Sequence, residues 1–248
     1  MLWGELMHKW LRFQIAAQPD EVTCGPTCLH GIYRYLGDDI PLEEVIGGVD
    51  MLSSGGGGTL DVFLANHALS RGYRATLFTY NLHLFDPTWA LLPVPELIVR
   101  LRAQAEAKTD AKLRIASVGY VRFLELGGKL RFEDLRPALL RRFLGRGVPI
   151  MTGLSATYLY QARREIPETG ASDDVRGEPA GHFVVLSGYD RDTRLVNVAD
   201  PYEWNPLGGQ RYYSVDLNRL ITAVLLGSLT YDANLLVIEV PRRRRWPR

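Results

Sequence analysis

Apolar positions recur with two different periods along the chain, and the change falls near Gly147. Up to that residue, apolar side chains mostly return every three or four positions, which predicts helices. The predicted helices span 26–36, 41–51, 60–71, 95–107, 110–126 and 134–145. Beyond Gly147, short apolar runs between turn residues predict strands at 148–154, 183–189, 195–199, 210–215 and 235–240, with one helix at 216–226.

Three segments of the first part need a separate interpretation. Residues 10–17 are expected to form a short strand, and the alternation of residues 73–80 predicts another. Residues 110–126 also fit a strand between Ile115 and Val121, but the two glycines that follow favour a helix end.

This order of elements predicts an α+β fold with two lobes. The helical N-terminal lobe is expected at about 18–147 and the antiparallel-sheet C-terminal lobe at about 148–241, together forming a single domain of residues 1–241. A cleft between two lobes is a common place for a binding or catalytic site. The basic tail at 242–248 is expected to be solvated, although such a tail also suits contact with nucleic acid or anionic lipid.

Composition narrows the functional classes. The net charge is +1, which favours neither nucleic acid nor a membrane surface as a partner. The two cysteines lie four positions apart and form no disulfide framework, which indicates a reducing compartment. The chain shows neither a secretory signal nor an apolar run of membrane-spanning length, so the prediction is a cytoplasmic protein. The oligomeric state is left open.

The segment QPDEVTCGPTC, residues 18–28, has the features of a nucleophilic cysteine site. Cys24 precedes Gly-Pro, and proline is favoured in the first turn of a helix. A thiol at the positive end of a helix has a lowered pKa, as a nucleophile requires. Gln18 lies close enough in sequence for its amide to form an oxyanion hole with the backbone N–H of Cys24. Cys28 faces the buried side of the same helix and is assigned to the core.

A predicted hairpin supplies the base and its orienting group. The strands 182–189 and 194–200 are joined by a polar turn, and a turn centred on Arg191 places His182 directly opposite Asp200. A carboxylate there can fix the imidazole tautomer while the other ring nitrogen faces the thiol. Asn197 is the rival orienter, but this register pairs it with Val185, too far along the strand to reach His182.

These residues carry a resemblance to a known family through three motifs: Gln18-x5-Cys24-Gly25-Pro26, Gly181-His182-Phe183-Val184-Val185-Leu186 and Ala199-Asp200-Pro201. The chain resembles the papain-like cysteine peptidases, and most of all the family whose best-known members trim double-glycine leader peptides from bacteriocins. The resemblance is strongest over 14–37 and 180–202 and looser over 59–90. It implies a papain-like two-lobe fold with the site in the cleft, a triad of Cys24, His182 and Asp200, and Gln18 as the helper.

The expected activity is hydrolysis of a peptide or isopeptide bond through a Cys24 thioester, with a peptide-like substrate and no cofactor. An acyltransferase or peptidyltransferase would use the same thioester, and a non-catalytic peptide-binding module would keep only the cleft. A zinc site at Cys24, Cys28 and His182 is rejected because a structural zinc takes four ligands.

Two loops are expected beside the site. The glycine-rich segment 53–59 lacks the Gly-Lys-Ser/Thr ending of a phosphate-binding loop and is assigned to the border of the active site, before a helix capped at or near Thr59. The long polar stretch 155–180 runs directly into His182 and is expected to overhang the site.

Overall fold

A mixed β-sheet runs through the computed structural model, which describes residues 8–52 and 57–241. The eight strands in the described residues are β1 His8–Trp10, β2 Arg74–Thr79, β3 Lys129–Arg131, β4 Ile150–Ser155, β5 Gly181–Asp190, β6 Leu195–Ala199, β7 Tyr212–Asp216 and β8 Asn234–Glu239. Their order is β3-β2-β8-β4-β5-β6-β7, and β1 pairs with the far end of β5. Neighbouring strands are antiparallel except for β2 and β3.

The helices pack against both faces of this sheet. They are α1 Cys24–Tyr35, α2 Leu42–Gly48, α3 Asp61–Ser70, α4 Val94–Ala107, α5 Ala111–Glu125, α6 Pro137–Leu144, α7 Ala156–Tyr160 and α8 Leu217–Leu226. In the part of the chain that is described, no helix is long and apolar enough to cross a membrane.

Strand β5 has two buried faces, which explains its nearly continuous apolar sequence. Phe183 and Val185 belong to the core formed with α1, α3 and α5, whereas Val184 and Leu186 belong to the core formed with α6 and α8. Strands covered on both faces lose the polar alternation of a half-exposed strand. Residues 183–186, which directly follow His182, therefore lie between two hydrophobic layers.

The predicted α+β class is confirmed, including the helix at α5 that competed with a strand. Strands β2 and β3 come from the predicted helical part but join the same sheet as the later strands.

The predicted strand at 10–17 is wrong over most of its length, since β1 ends at Trp10. Residues 11–17 lie outside any strand, although Phe13 and Ile15 are buried in the core. Helix α2 ends at Gly48, before the predicted end at residue 51. The short elements β3 and α7 were not predicted. Residues 53–56 of the glycine-rich segment and the basic tail 242–248 lie outside the described residues.

Candidate active site

Cys24 is the first residue of α1 and is 9% exposed. The following Gly25 allows the first turn to pack closely, because a Cβ there would lie 2.6 Å from Cγ2 of Thr59. The thiol therefore stands at the N-terminal end of a twelve-residue helix, where the helix dipole favours a negative charge.

Thr59 does not cap α3, whose N-cap is Leu60. Its hydroxyl group donates a hydrogen bond to the carbonyl oxygen of Asp50 instead.

The His182 imidazole lies between a thiol and a carboxylate. Its Nε2 is 2.8 Å from Oδ1 of Asp200, and the Cys24 side chain lies close enough to raise the pKa of the imidazole. Because Nε2 is engaged by the carboxylate, Nδ1 is the ring nitrogen left for the thiol. All three side chains are buried, so the charges that develop on them interact with little screening by water.

The predicted register of the hairpin is wrong, although the contact between His182 and Asp200 is present. Val185 pairs with Ala199, and an irregularity between Leu186 and Gly188 shifts the remainder of the ladder. Continued in this register, Asp200 falls opposite Val184, so it meets His182 diagonally on the same face of the sheet.

Asn197, the rival orienter, pairs with Gly188 and not with Val185 as predicted. It donates its Nδ2 hydrogen bond to the Ser187 hydroxyl, at 3.2 Å. It therefore lies even farther along β5 from His182 than the predicted register placed it.

The Asp200 carboxylate is 0% exposed and accepts hydrogen bonds at both oxygens. Oδ1 accepts from His182 and from the backbone N–H of Tyr202, at 2.9 Å. Oδ2 accepts from the hydroxyl of Tyr160, at 2.7 Å, and from the hydroxyl of Tyr213, at 2.6 Å. A fully buried carboxylate thus obtains four donors, as burial of a charge requires.

The electrostatics of the pair favour an ionised state on both sides. Burial alone would lower the pKa of His182, but the charges of Asp200 and Cys24 and their hydrogen bonds outweigh it, and the pKa is raised. Burial likewise opposes ionisation of Asp200, but His182 and the two tyrosine hydroxyls hold its pKa below the ordinary value. The imidazolium form is therefore stabilised beside the thiol.

Gln18 is tied to the same region through its backbone, since its N–H donates to the carbonyl oxygen of Pro201 at 2.9 Å. Its side-chain Nε2 donates to the carbonyl oxygen of Asp20 at 2.8 Å, and its buried Oε1 has no hydrogen-bond partner. An amide nitrogen carries two hydrogens, so one remains for another acceptor.

The thiol of Cys28 differs from that of Cys24 in its burial and its reactivity. It is completely buried, and its thiol donates to the carbonyl oxygen of Phe183 at 3.3 Å. Burial, and then the nearby charge of Cys24, raise its pKa well above the ordinary thiol value. A thiol held protonated in this way is a poor nucleophile.

The two loops assigned to the border of the site have described residues close to it. The stretch 155–180 opens with α7 and then runs irregularly to β5. Within it, the pKa of Glu165 is raised, because burial and the charge of Glu21 outweigh the opposing charge of His182. Gly57, from the glycine-rich segment, lies close to Val22: a Cβ atom added to Gly57 would be 2.9 Å from Cγ1 of Val22. Both loops therefore approach the segment that leads to Cys24.

Metal ligation has no support at this site. Across residues 8–52 and 57–241, no group of three or more His, Cys, Asp and Glu side chains is arranged to hold a metal ion.

Tyr160 and Tyr213 were not predicted as site residues. Tyr160 ends α7, a helix of five residues that carries no periodic signal, and Tyr213 lies on β7 opposite Val198. Val198 lies two residues before Asp200, so a correct β6–β7 register was the signal that could have found Tyr213.

A family described as Peptidase_C39 like family matches residues 138–222. The matched segment contains His182 and Asp200 and does not reach Gln18 or Cys24. No curated protein matches the chain.

Two solved structures are similar over nearly the whole chain. A protein described as a C39-like peptidase from Bacillus anthracis is 15% identical, with a TM-score of 0.46, covering 94% of this chain and 99% of that one. Xylellain, a cysteine protease from Xylella fastidiosa, is 15% identical, with a TM-score of 0.44, covering 95% of this chain and 87% of that one. The family match confirms the resemblance that the sequence motifs indicated: over residues 138–222, the chain is similar to the Peptidase_C39 like family.

Proposed function

We propose that this protein is a cysteine peptidase that hydrolyses a peptide or isopeptide bond through a thioester on Cys24. The observation that carries the proposal is the grouping of three buried side chains around one imidazole: Nε2 of His182 is 2.8 Å from Oδ1 of Asp200, and Cys24 raises the pKa of the same His182. A nucleophile, a base and a group that orients the base are the parts of nucleophilic acyl transfer. The proposal takes the chain up to residue 241 as one domain, which the shared sheet supports.

The reaction follows from the charges in the site. His182 takes the thiol proton, and the Cys24 thiolate attacks the carbonyl carbon of the scissile bond. The resulting oxyanion accepts hydrogen bonds from the Cys24 backbone N–H and the free amide hydrogen of Gln18. His182 then gives its proton to the leaving amine, which breaks the C–N bond and leaves an acyl group on the sulfur. His182 next removes a proton from water, whose oxygen attacks the carbonyl carbon of the thioester. The C–S bond then breaks and releases the acid, and His182 returns the proton to the sulfur.

Asp200 stays ionised throughout in this mechanism. Its Oδ1 holds the imidazole by Nε2, so that Nδ1 exchanges the proton with sulfur, amine and water in turn. The low pKa of Asp200 and the raised pKa of His182 support this division of roles.

Cleavage of a mixture of natural peptides in water enriched in ¹⁸O tests the proposal. Hydrolysis places one ¹⁸O atom in each new carboxyl group, which mass spectrometry detects. The Cys24→Ala variant is expected to yield no such products, and the Cys28→Ala variant is expected to yield them. An added primary amine tests the alternative, because transfer to it would give an amide without ¹⁸O.

Reactivity of the thiols provides a test that needs no substrate. Iodoacetamide at neutral pH is expected to alkylate Cys24 much faster than Cys28, because Cys28 is completely buried and burial raises its pKa. Peptides left intact by the protein, together with a Cys24 that reacts no faster than an ordinary thiol, would refute the peptidase proposal and favour a binding module.

A further inference from the structure

The carboxylate of Asp200 is held from the side opposite His182 by two phenol groups. The hydroxyls of Tyr160 and Tyr213 both donate to Oδ2, at 2.7 Å and 2.6 Å, while Oδ1 faces the imidazole. The tyrosines come from different parts of the fold, one from the end of α7 and one from β7. Two independent elements thus converge on one oxygen atom.

We propose that Tyr160 and Tyr213 are positioning residues of the active site, which lock the Asp200 carboxylate so that Oδ1 stays directed at His182. The inference rests on the proposed function, because it assigns the two hydroxyls a part in the same reaction. It also goes beyond the triad and the helper Gln18, none of which needs a tyrosine.

The geometry favours positioning over ordinary packing. A half-buried tyrosine usually satisfies its hydroxyl with whichever acceptor is nearest, often a backbone carbonyl. Here both hydroxyls donate to the same oxygen of the buried Asp200 carboxylate. Together with the backbone N–H of Tyr202, they fix the plane of the carboxylate. Rotation of the carboxylate would break two short, charge-assisted bonds at once.

Both phenols are permanent donors. Burial, and then the charge of Asp200, raise the pKa of Tyr160 and of Tyr213 far above the ordinary value. Both hydroxyls therefore stay protonated near neutral pH, and each can donate its proton to the carboxylate. Two further titratable groups face the pair: His182, which shares the Asp200 carboxylate, and Cys28, whose charge also raises the pKa of Tyr213.

The test replaces each tyrosine with phenylalanine, which removes one hydroxyl and keeps the ring. In Tyr160→Phe and Tyr213→Phe, the carboxyl carbon of Asp200, followed by NMR, is expected to titrate about one pH unit higher than in the unmodified protein. The double variant is expected to shift further. The rate of Cys24 alkylation by iodoacetamide is expected to fall. In a plot of this rate against pH, the rise on the acid side is expected to move to higher pH.

Tyr73→Phe is the matched control. The Tyr73 hydroxyl also donates to a carboxylate, Oδ2 of Asp38, at 2.9 Å, but it lies near the other end of α1. This variant is expected to leave the Asp200 titration and the acid limb unchanged.

Two results would overturn the proposal. One is an Asp200 titration that does not move in either single variant, whatever happens to the melting temperature, because that would make the hydroxyls structural only. The other is the absence, in the unmodified protein, of two slowly exchanging tyrosine hydroxyl protons in the NMR spectrum, a measurement that needs no variant to fold. An unreactive Cys24 in the unmodified protein would count against the peptidase proposal instead, since the Asp200 titration does not depend on it.

Discussion

The thiol of Cys28 donates a hydrogen bond to the backbone carbonyl oxygen of Phe183, at 3.3 Å, one residue after His182. This contact ties the first turns of α1 to the start of β5, the two elements that carry Cys24 and His182. The chain's two cysteines therefore have different surroundings, one at a helix end against an imidazole and the other within the core. We expect them to respond in opposite ways to substitution.

Cys24→Ala is expected to abolish peptide cleavage and to remove the fast phase of alkylation. Cys28→Ala is expected to keep both and to lower the free energy of unfolding by about 1–2 kcal/mol, since it removes a buried sulfur and its hydrogen bond. Mass spectrometry of the alkylated protein and urea unfolding measure the two effects. Faster labelling of Cys28 than of Cys24 would show that the nucleophile is wrongly assigned.

Asp200→Asn is expected to slow acylation by at least about 100-fold, because the imidazolium loses its negative partner. Asn197→Ala serves as the comparison, since Asn197 contacts Ser187 and lies away from His182. Its effect on the acylation rate is expected to be small. Single-turnover kinetics with any cleaved peptide measures both rates, and a larger loss at Asn197 would overturn the choice of Asp200.

Much of the fold was predictable because helix and strand periods are local properties of the sequence. The long helices α1, α4 and α5 were found from apolar spacing, and β5 from its apolar run. The failed strand at 10–17 shows the limit. Its apolar residues are buried as in a strand, but they fill the core beside α1 without a partner strand beyond Trp10.

The contact between His182 and Asp200 was predictable from the sequence, but the strand register behind it was not. Tyr189 pairs with Val196, so the turn is centred between Asp192 and Thr193 and not on Arg191. The predicted direct pairing of His182 and Asp200 was therefore wrong, while their contact was right. The tyrosine contacts depend on where α7 and β7 meet β6 in space. Such contacts between distant segments leave no periodic pattern in one sequence.

A pair of buried carboxyl groups outside the active site predicts how the stability of the protein depends on pH. Asp61 and Asp232 both lie in the core close to Gly153, where a Cβ would be 3.1 Å from Oδ2 of Asp61 and 2.5 Å from Cβ of Asp232. Burial, and for Asp61 also the charge of Asp232, raise the pKa of both groups. Each carboxyl therefore keeps its proton in the folded protein at a pH where the unfolded chain has released it.

The sign of the effect follows from this proton uptake on folding. The stabilising contribution is complete below the unfolded carboxyl pKa, near 4, and is lost as the pH rises through the raised folded values. The free energy of unfolding should fall by at most about 1.4 kcal/mol per pH unit for each proton held. Asp232→Asn is expected to flatten this slope in urea titrations between acid and neutral pH. An unchanged slope would mean that Asp232 is ionised in the folded protein.

The loop between α7 and β5 gives the last prediction, because its base is closed by a backbone pair. Glu165 and Glu178 exchange both hydrogen bonds, at 3.0 Å and 2.8 Å, so a two-residue turn can join them directly. Replacing residues 166–177 with Gly-Ser therefore removes the charged tip while α7, Tyr160 and the Glu165 side chain remain. The shortened protein is expected to fold with the active-site contacts intact.

The tip carries charges of both signs, and Asp173 forms an ion pair with Arg176 at 2.7 Å. At the base of the loop, the charge of His182 acts on Glu165 and lowers its pKa against the effect of burial. Under the proposed function, we expect a charged loop in that position to border the space that a substrate enters; such loops select partners by charge and exclude water. We therefore expect the shortened variant to keep the Cys24 alkylation rate near that of the unmodified protein. We expect it to raise KM for a cleaved peptide with little change in kcat. The Glu165→Gln variant keeps the full-length loop and removes only the charge at its base. Comparing it with the shortened variant distinguishes the effect of that charge on KM from the effect of the tip. Loss of alkylation in the shortened variant would make the loop structural, and an unchanged KM would show that the tip takes no part in substrate binding.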